Sequence, residues 1–317
     1  MLADLGELAT ALAARLPGRV RRDVPVAELS TYRVGGPVSV LTRVGTLAEL
    51  EAVAGVVARH ASPVLVVGRG SNLLVGDGGF AGVGLMLEGE FESVELPAPD
   101  AEPVVRAGGA VPLPVLARRA ADAGLAGLEF FVGIPGSVGG AVRMNAGGHG
   151  RETADVLRSA AIVDLLAPGP RPPEIRSTAQ LDLGYRHSNV AASEVVVSAE
   201  LVGHRDDPAA CGARVTEIVR WRREHQPGGA NAGSVFRNPP GDSAGRLIDA
   251  TGLKGFRVGG AFVSDKHANF FQADEGATAG EVARLVAEVQ RRVADATGVH
   301  LVPELLMVGN GFEQVPA

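Results

Sequence analysis

Gly133-Ile-Pro-Gly-Ser-Val-Gly-Gly-Ala-Val-Arg-Met-Asn-Ala-Gly147 is the stretch on which the reading of this chain turns. Seven of its fifteen residues are glycine, proline or serine. Glycine lets the backbone turn through positive φ and lets another group approach the main chain. A run of bare amides makes a concave nest that suits a phosphate. Ser137 adds a hydroxyl donor, and Asn145 adds an amide able to fix a loop or a ligand. A tight turn without a ligand reads the same way.

A second loop shifts the balance. Gly68-Arg-Gly-Ser-Asn-Leu-Leu74 follows the apolar run Pro63–Val67, which reads as a buried strand. The two loops begin 65 residues apart, and two nests suit a ligand with two phosphates. Neither loop is a Walker A motif, because no Gly-Lys-Ser/Thr occurs. Neither is Gly-x-Gly-x-x-Gly, because Leu73 stands where the third glycine belongs. The usual ATP and NAD cradles are therefore disfavoured.

The 317 residues allow two or three domains, and 46% are apolar, enough for a sizeable core. A net charge of −6 argues against a nucleic-acid-binding face. The single cysteine, Cys211, excludes an internal disulfide and a multi-cysteine zinc site. The seven histidines are scattered without His-x-x-x-His spacing, so no metal is expected. Of 30 basic residues only Lys254 and Lys266 are lysine, a bias that reads as a GC-rich genome. The N-terminal segment carries Asp4 and Glu7 and reads as an amphipathic helix on Leu5, Leu8, Leu12 and Leu16, not a signal peptide. No apolar run reaches the roughly 18 residues of a membrane span, so a soluble, cytoplasmic protein without membrane partners is expected.

Strands are predicted at Val38–Arg43, Val64–Val67, Val83–Leu87, Val104–Ala107, Val156–Leu166, Glu194–Val202 and His300–Leu306. Helices are predicted from Thr46, with Glu49 completing a capping box, at Pro114–Ala123 before Gly124, at Cys211–Arg223, within Gly241–Gly252, and from Thr278 to Gly298. Ala167–Pro173 reads as a hairpin tip and His204–Pro208 as a boundary.

Three polar residues stand out by their surroundings. Arg186, in Tyr185-Arg-His-Ser188, precedes an apolar strand and suits a bidentate clamp on a carboxylate; a structural ion pair reads the same. Ser234 follows a flexible loop, and its hydroxyl suits proton transfer or a purely structural bond. Glu304 sits in an apolar segment, where a carboxylate is costly unless paired or functional. No Gly-x-Ser-x-Gly elbow occurs, so Ser234 is not read as a hydrolase nucleophile. His225 and His267 are the nearest alternative bases.

Taken in order, the motifs Thr31-Tyr-Arg-Val-Gly-Gly, Gly68-Arg-Gly-Ser-Asn-Leu-Leu, Gly133-Ile-Pro-Gly-Ser-Val-Gly-Gly-Ala, Met144-Asn-Ala-Gly, Gly184-Tyr-Arg-His-Ser, Ala232-Gly-Ser-Val-Phe-Arg-Asn-Pro, His267-Ala-Asn-Phe and Pro303-Glu304 resemble the UDP-N-acetylenolpyruvoylglucosamine reductase (UDP-N-acetylmuramate dehydrogenase) family. The resemblance spans Thr31 to Gly309. It implies an α+β fold, with a two-lobed FAD-binding domain of the vanillyl-alcohol-oxidase-like (PCMH) type and a C-terminal α+β substrate domain. The implied division is residues 1–87 for lobe 1, with 300–317 packing back on it, 88–203 for lobe 2 and 204–299 for the substrate domain.

The same resemblance implies a noncovalent FAD held by Gly68, Arg69, Gly70, Ser71, Asn72 and Leu73 and by Gly133, Ile134, Pro135, Gly136, Ser137, Gly139, Gly140, Ala141, Asn145 and Ala146. NADPH would reduce the FAD. FAD N5 would then reduce the enolpyruvyl group of UDP-N-acetylglucosamine enolpyruvate, a step of peptidoglycan synthesis. By family analogy Arg186 and Glu304 meet the substrate carboxylate, and Ser234 is the proton donor. Tyr185, Arg222, His225 and Asn238 are the expected substrate contacts. His225 stands where the family often has lysine. No tyrosine follows Tyr185, so the chain is similar to the branch lacking an extra tyrosine-bearing loop. An FAD oxidase on the same fold is the alternative, and a non-catalytic nucleotide-binding protein a third reading. Covalent tethering of FAD is disfavoured, since no His or Cys lies between His60 and His149.

Overall fold

Alternate residues of the strand Leu157–Asp164 enter two different cores, as the period of two along a strand requires. Ala160 and Ile162 pack in a cluster with Leu116, Phe131 and Val142. Ala161 and Val163 pack in another with Leu12, Leu50, Val57 and Leu85. Both faces being buried, this strand and its neighbour Glu194–Val202 read as nearly continuous apolar runs rather than as alternating ones. They form the middle of a five-stranded antiparallel sheet in the order 174–177, 157–164, 194–202, 104–108, 94–95.

This is the computed structural model of the chain, and it describes residues 4–167, 169 and 171–312. Two compact units emerge. The first comprises Met1–Arg22, Val40–Arg69 and Gly82–Arg222, and the second comprises Asp23–Ser39, Gly70–Ala81 and Arg223–Ala317. The first holds the two cores just named. Most of the expected βαβ passage also lies in it, from Val40 on: the strand Pro37–Val44 leads to the helix Leu47–His60, and the strand Val64–Val66 pairs in parallel with Phe80–Leu87.

In the second unit the helix Ala279–Thr297 buries Val282, Leu285, Val286, Val289 and Val293, one stripe at helical spacing. That stripe shares a core with Tyr32, Leu74, Phe236 and Phe271. Its partner is a three-stranded antiparallel sheet, Arg257–Val258, Ala261–Val263 and Phe271–Ala273. Leu306–Val308 pairs in parallel with Leu73–Val75, so the end of the described chain joins the segment that follows the first glycine loop.

Several expected elements need correction. The strand predicted at His300–Leu306 forms only at Leu306–Val308. Residues 300–305 are irregular apart from a bridge between Pro303 and Phe236, because Pro303 lacks the N–H that a ladder needs. Thr46 does cap its helix by accepting the Glu49 N–H, but Glu49 accepts from the Gly45 N–H at 2.6 Å instead of closing a box. Thr278 and Glu281 close theirs in both directions. His204–Arg205 is not a bare boundary, since it pairs with Leu125–Ala126. The hairpin tip expected at 167–173 lies partly outside the described residues. Among the described residues no helix is long and apolar enough to cross a membrane.

Candidate active site

The stretch from Gly133 to Gly147 is a turn feeding a helix. Ser137 is the N-cap of the helix Val138–Met144, its hydroxyl accepting from the Gly140 N–H at 3.4 Å. The Val138 and Gly139 amides donate to the carbonyls of Val111 and Gly109 at 3.0 and 2.9 Å. Three amides that the sequence offers as a nest are thus already used by the fold. The first loop differs. Among the described residues, no N–H from Gly68 to Asn72 donates to a protein acceptor. Five consecutive unspent donors are what an anionic group requires.

The two loops meet. A Cβ on Gly68 would lie 2.6 Å from the Ser137 hydroxyl oxygen. Gly70 has φ +59°, and a Cβ there would lie 2.2 Å from the Leu29 carbonyl oxygen. Beside Gly70, Ser30 carries a buried hydroxyl with no hydrogen-bond partner, and so does Tyr32. Each orphan costs about 1–3 kcal/mol unless something satisfies it. Burial also pushes the Tyr32 phenol far above its usual range, so it stays a neutral donor. Unspent amides, glycines that side chains cannot replace and waiting hydroxyls fit a dinucleotide such as FAD.

In the first unit Arg186 occupies a tight turn. Gly184 and His187 exchange backbone hydrogen bonds of 3.1 and 3.0 Å, leaving Tyr185 and Arg186 at the tip. Arg186 has φ +55°, a left-handed conformation unusual for a side-chain-bearing residue and often kept where function requires it. The turn is clasped to the glycine helix. Asn145 donates to the Gly184 carbonyl at 2.9 Å while its amide oxygen accepts from the Ala154 N–H at 2.8 Å. Ser188 donates to the Arg143 carbonyl, and Arg143 donates to the carbonyls of Val190 and Ala191. Arg186 itself donates to the Gly147 carbonyl at 3.4 Å, and its guanidinium lies 5.1 Å from the Tyr185 ring centroid. Asn145 is therefore engaged by the protein at both ends of its amide, which makes it a support for the Arg186 turn.

The second unit pairs the segments that carry Ser234 and Glu304. The Val235 carbonyl accepts from the Glu304 N–H at 2.7 Å, and Arg237 donates its N–H to the Val302 carbonyl at 2.9 Å. Asn72, from the first glycine loop, donates to the Glu304 carbonyl at 3.1 Å. The other side of the Ser234 strand is held by Asn269, which is buried. Its amide brackets Phe236 by accepting from the N–H and donating to the carbonyl, at 3.0 and 2.8 Å. Asn269 is a positioning residue whose one signal in the sequence is an amide inside the apolar motif His267-Ala-Asn-Phe.

Ser234 lines a cavity of about 440 Å³ within the second unit, shared with Asn238, Lys254, Lys266 and His267. Burial, reinforced by Lys254, holds the His267 imidazole below its usual range, which favours the neutral ring. Asn238 fixes the neighbouring turn by accepting from the Ala244 N–H at 3.1 Å. Of the remaining expected substrate contacts, His225 is exposed at the end of the helix Pro208–His225. Arg222 lies on the same helix, and burial lowers its tendency to hold its proton. Among the described residues no group of three or more His, Cys, Asp or Glu side chains is placed to hold a metal.

Comparison with known proteins defines the class first. Residues 38–167 match the family described as FAD binding domain, and residues 225–308 match that described as UDP-N-acetylenolpyruvoylglucosamine reductase, C-terminal domain. The chain is an FAD-binding oxidoreductase of α+β architecture. A UDP-N-acetylenolpyruvoylglucosamine reductase from Paramagnetospirillum magneticum is 43% identical over 93% of this chain and 94% of its own length. One from Syntrophotalea carbinolica is 40% identical over 95% and 98%. The crystal structure of the reductase from Thermus caldophilus superposes with a TM-score of 0.78 at 37% identity, covering 91% of this chain and 98% of that one. The chain belongs to the UDP-N-acetylenolpyruvoylglucosamine reductase family.

Proposed function

We propose that this enzyme reduces the enolpyruvyl group of UDP-N-acetylglucosamine enolpyruvate to the lactyl ether, UDP-N-acetylmuramate, at the expense of NADPH, in peptidoglycan synthesis. When bound, FAD would supply the hydride chemistry that links the two substrates. The observation that carries the proposal is the backbone pairing of Glu304 with Val235, which sets the segment bearing Glu304 beside the one bearing Ser234.

Hydride addition to the vinyl ether falls on the methylene carbon. Negative charge then builds on the neighbouring carbon and spreads into its carboxylate as an enolate. Arg186, at the tip of its left-handed turn, supplies positive charge to that carboxylate. Ser234 delivers the proton. A serine hydroxyl is a weak acid in water, yet the enolate is a strong base held within reach. As an anion Glu304 would repel the enolate, so its part requires a proton on the carboxyl or a donor between the two. Tyr185, Arg222, His225 and Asn238 are assigned to the sugar nucleotide.

The first loop, Gly68 to Leu73, is assigned to the FAD phosphates, and Gly133 to Ala141 and Ala146 to the same cofactor, with Asn145 supporting that second stretch. Residues 1–87 and 88–203 are proposed as the FAD lobes, 204–299 as the substrate domain, and the cytoplasm as the place of work. The test is product formation. Incubation of the holoenzyme with NADPH and UDP-N-acetylglucosamine enolpyruvate should yield a sugar nucleotide heavier by two hydrogens. NADPH oxidation that requires O₂ and leaves the sugar nucleotide unchanged would make the enzyme an oxidase instead.

A further inference from the structure

A histidine stands where a hairpin asks for asparagine or glycine. Gly147–Gly148 pairs antiparallel with Arg151–Glu152, and the register of Arg151 with Gly148 leaves His149 and Gly150 as a two-residue tip. Both have positive φ, +54° and +76°. A tip with two left-handed positions takes asparagine, aspartate or glycine at its first place most readily. What histidine adds there is a ring.

The ring lies against Gly133 and Trp221. A Cβ on Gly133 would lie 3.1 Å from the Cδ2 and Nε2 atoms of His149 and 3.3 Å from the Cγ2 of Ile218. Gly133 therefore serves close approach, since the hairpin tip and the helix Pro208–His225 both come down on its bare Cα. The indole of Trp221 meets the same imidazole edge-on, with ring centroids 5.1 Å apart and planes at 82°. Gly148, the residue before His149, faces Ile134, and a Cβ on it would lie 3.9 Å from the Ile134 Cγ1.

The helix is thinly held at its far end. Its fully buried side chains, Cys211 and Val215, lie in its first half. Ile218 and Val219 are partly buried, and Trp221 is 41% exposed. The last turns also carry Arg222, one of the residues assigned to the sugar nucleotide. Burial, reinforced by the charge of Arg222, holds the His149 imidazole below its usual range, so a neutral ring sits near that guanidinium.

We propose that His149 is a positioning residue: its ring, seated on Gly133 and set against Trp221, docks the last turns of the helix Pro208–His225 and so places Arg222 for the sugar nucleotide. The proposal rests on the reductase reading, which gives Arg222 that task. The two rings lie at the surface, and their grip is modest. Edge-to-face aromatic pairs are worth a factor of roughly 2–10 in an equilibrium constant. A helix end that is docked part of the time lowers ligand affinity by the fraction of time it is undocked. The change therefore belongs to binding and not to the chemical step.

The test is calorimetric titration of the FAD-loaded protein with UDP, beside steady-state kinetics with NADPH and UDP-N-acetylglucosamine enolpyruvate. It compares the native chain with His149→Asn, His149→Phe, Arg222→Gln and the double variant His149→Asn/Arg222→Gln. Asparagine keeps the hairpin tip and removes the ring. In His149→Asn the Kd for UDP and the KM for the sugar nucleotide should rise about 2- to 10-fold, while kcat, flavin content and thermal midpoint hold. His149→Phe should restore most of the affinity. In the Arg222→Gln chain the asparagine substitution should add nothing, because the group being placed is gone. Native affinity in His149→Asn, no rescue by phenylalanine, a loss of equal size with and without Arg222, or a loss of FAD or thermal stability in place of affinity would each overturn the proposal. A native enzyme that converts the enolpyruvyl substrate with NADPH keeps the reductase reading intact in every one of those cases.

Discussion

Ser234 is the residue on which the chemistry makes the sharpest demand. Replacing it by alanine removes a hydroxyl from a strand whose backbone is held by Asn269 and by the Phe270 bridge, so the fold should persist. Reduction by NADPH should be unchanged in Ser234→Ala. Reoxidation by the enolpyruvyl substrate should slow by about 10²- to 10⁴-fold, the usual cost of a lost proton donor. Rapid-mixing absorbance of the flavin separates the two steps, and unchanged reoxidation would remove Ser234 from the mechanism.

The glycines make a second contrast at this scale. Gly70→Ala places a methyl group 2.2 Å from a carbonyl oxygen at φ +59°, whereas Gly140→Ala meets nothing nearer than 3.6 Å. The first should lose flavin on gel filtration, and the second should retain it. Ser234, Arg186 and Glu304 were visible in the sequence because each is a polar residue in unexpected company. Asn145 and Asn269 were harder to read. An asparagine whose amide binds backbone at two ends leaves no spacing pattern, since its partners Gly184 and Ala154, or Phe236, are fixed only by the fold.

Among elements, capping chemistry separates what local sequence decides from what tertiary contacts decide. Thr278 and Glu281 form a closed box, and the Thr278 hydroxyl accepts from the Glu281 N–H at 3.1 Å. Thr278→Ala should cost about 0.5–2 kcal/mol of stability, measured by denaturant unfolding. Thr46 and Glu49 have the same spacing, yet Glu49 turns to Gly45 and to Arg19, which lies 3.2 Å away. The motif was legible in both places, and its use depended on a residue 30 positions distant. Strands followed the same rule. Glu194–Val202 coincides with its apolar run because both faces are buried, whereas the strand near the C-terminus is shifted past Pro303 to Leu306–Val308.

For the whole molecule, length and composition bounded the number of domains, and ordered motifs named the family. The interleaving of chain segments between the two units was not legible. It depends on pairings such as Leu73–Val75 with Leu306–Val308, which join residues more than 200 positions apart and carry no signal in local composition. Stability should depend on acidity in a calculable direction. Burial lowers the affinity of both His149 and His267 for a proton in the folded chain, His149 further by Arg222 and His267 by Lys254. The unfolded chain therefore binds protons first as pH falls below about 6.5. Their contribution is fully present above that value and is lost progressively as pH drops through the folded values. Thermal unfolding between pH 8 and 5 should show this decline, and His267→Gln should flatten it.

The account as a whole rests on a flavin that passes reducing equivalents from a nicotinamide to an enolpyruvyl ether. The direct measurement is one anaerobic absorbance titration of the purified protein. The account predicts a yellow protein that NADPH bleaches and that UDP-N-acetylglucosamine enolpyruvate, added next, returns to yellow with one equivalent of substrate consumed per flavin. A flavin that stays bleached until air is admitted would contradict it.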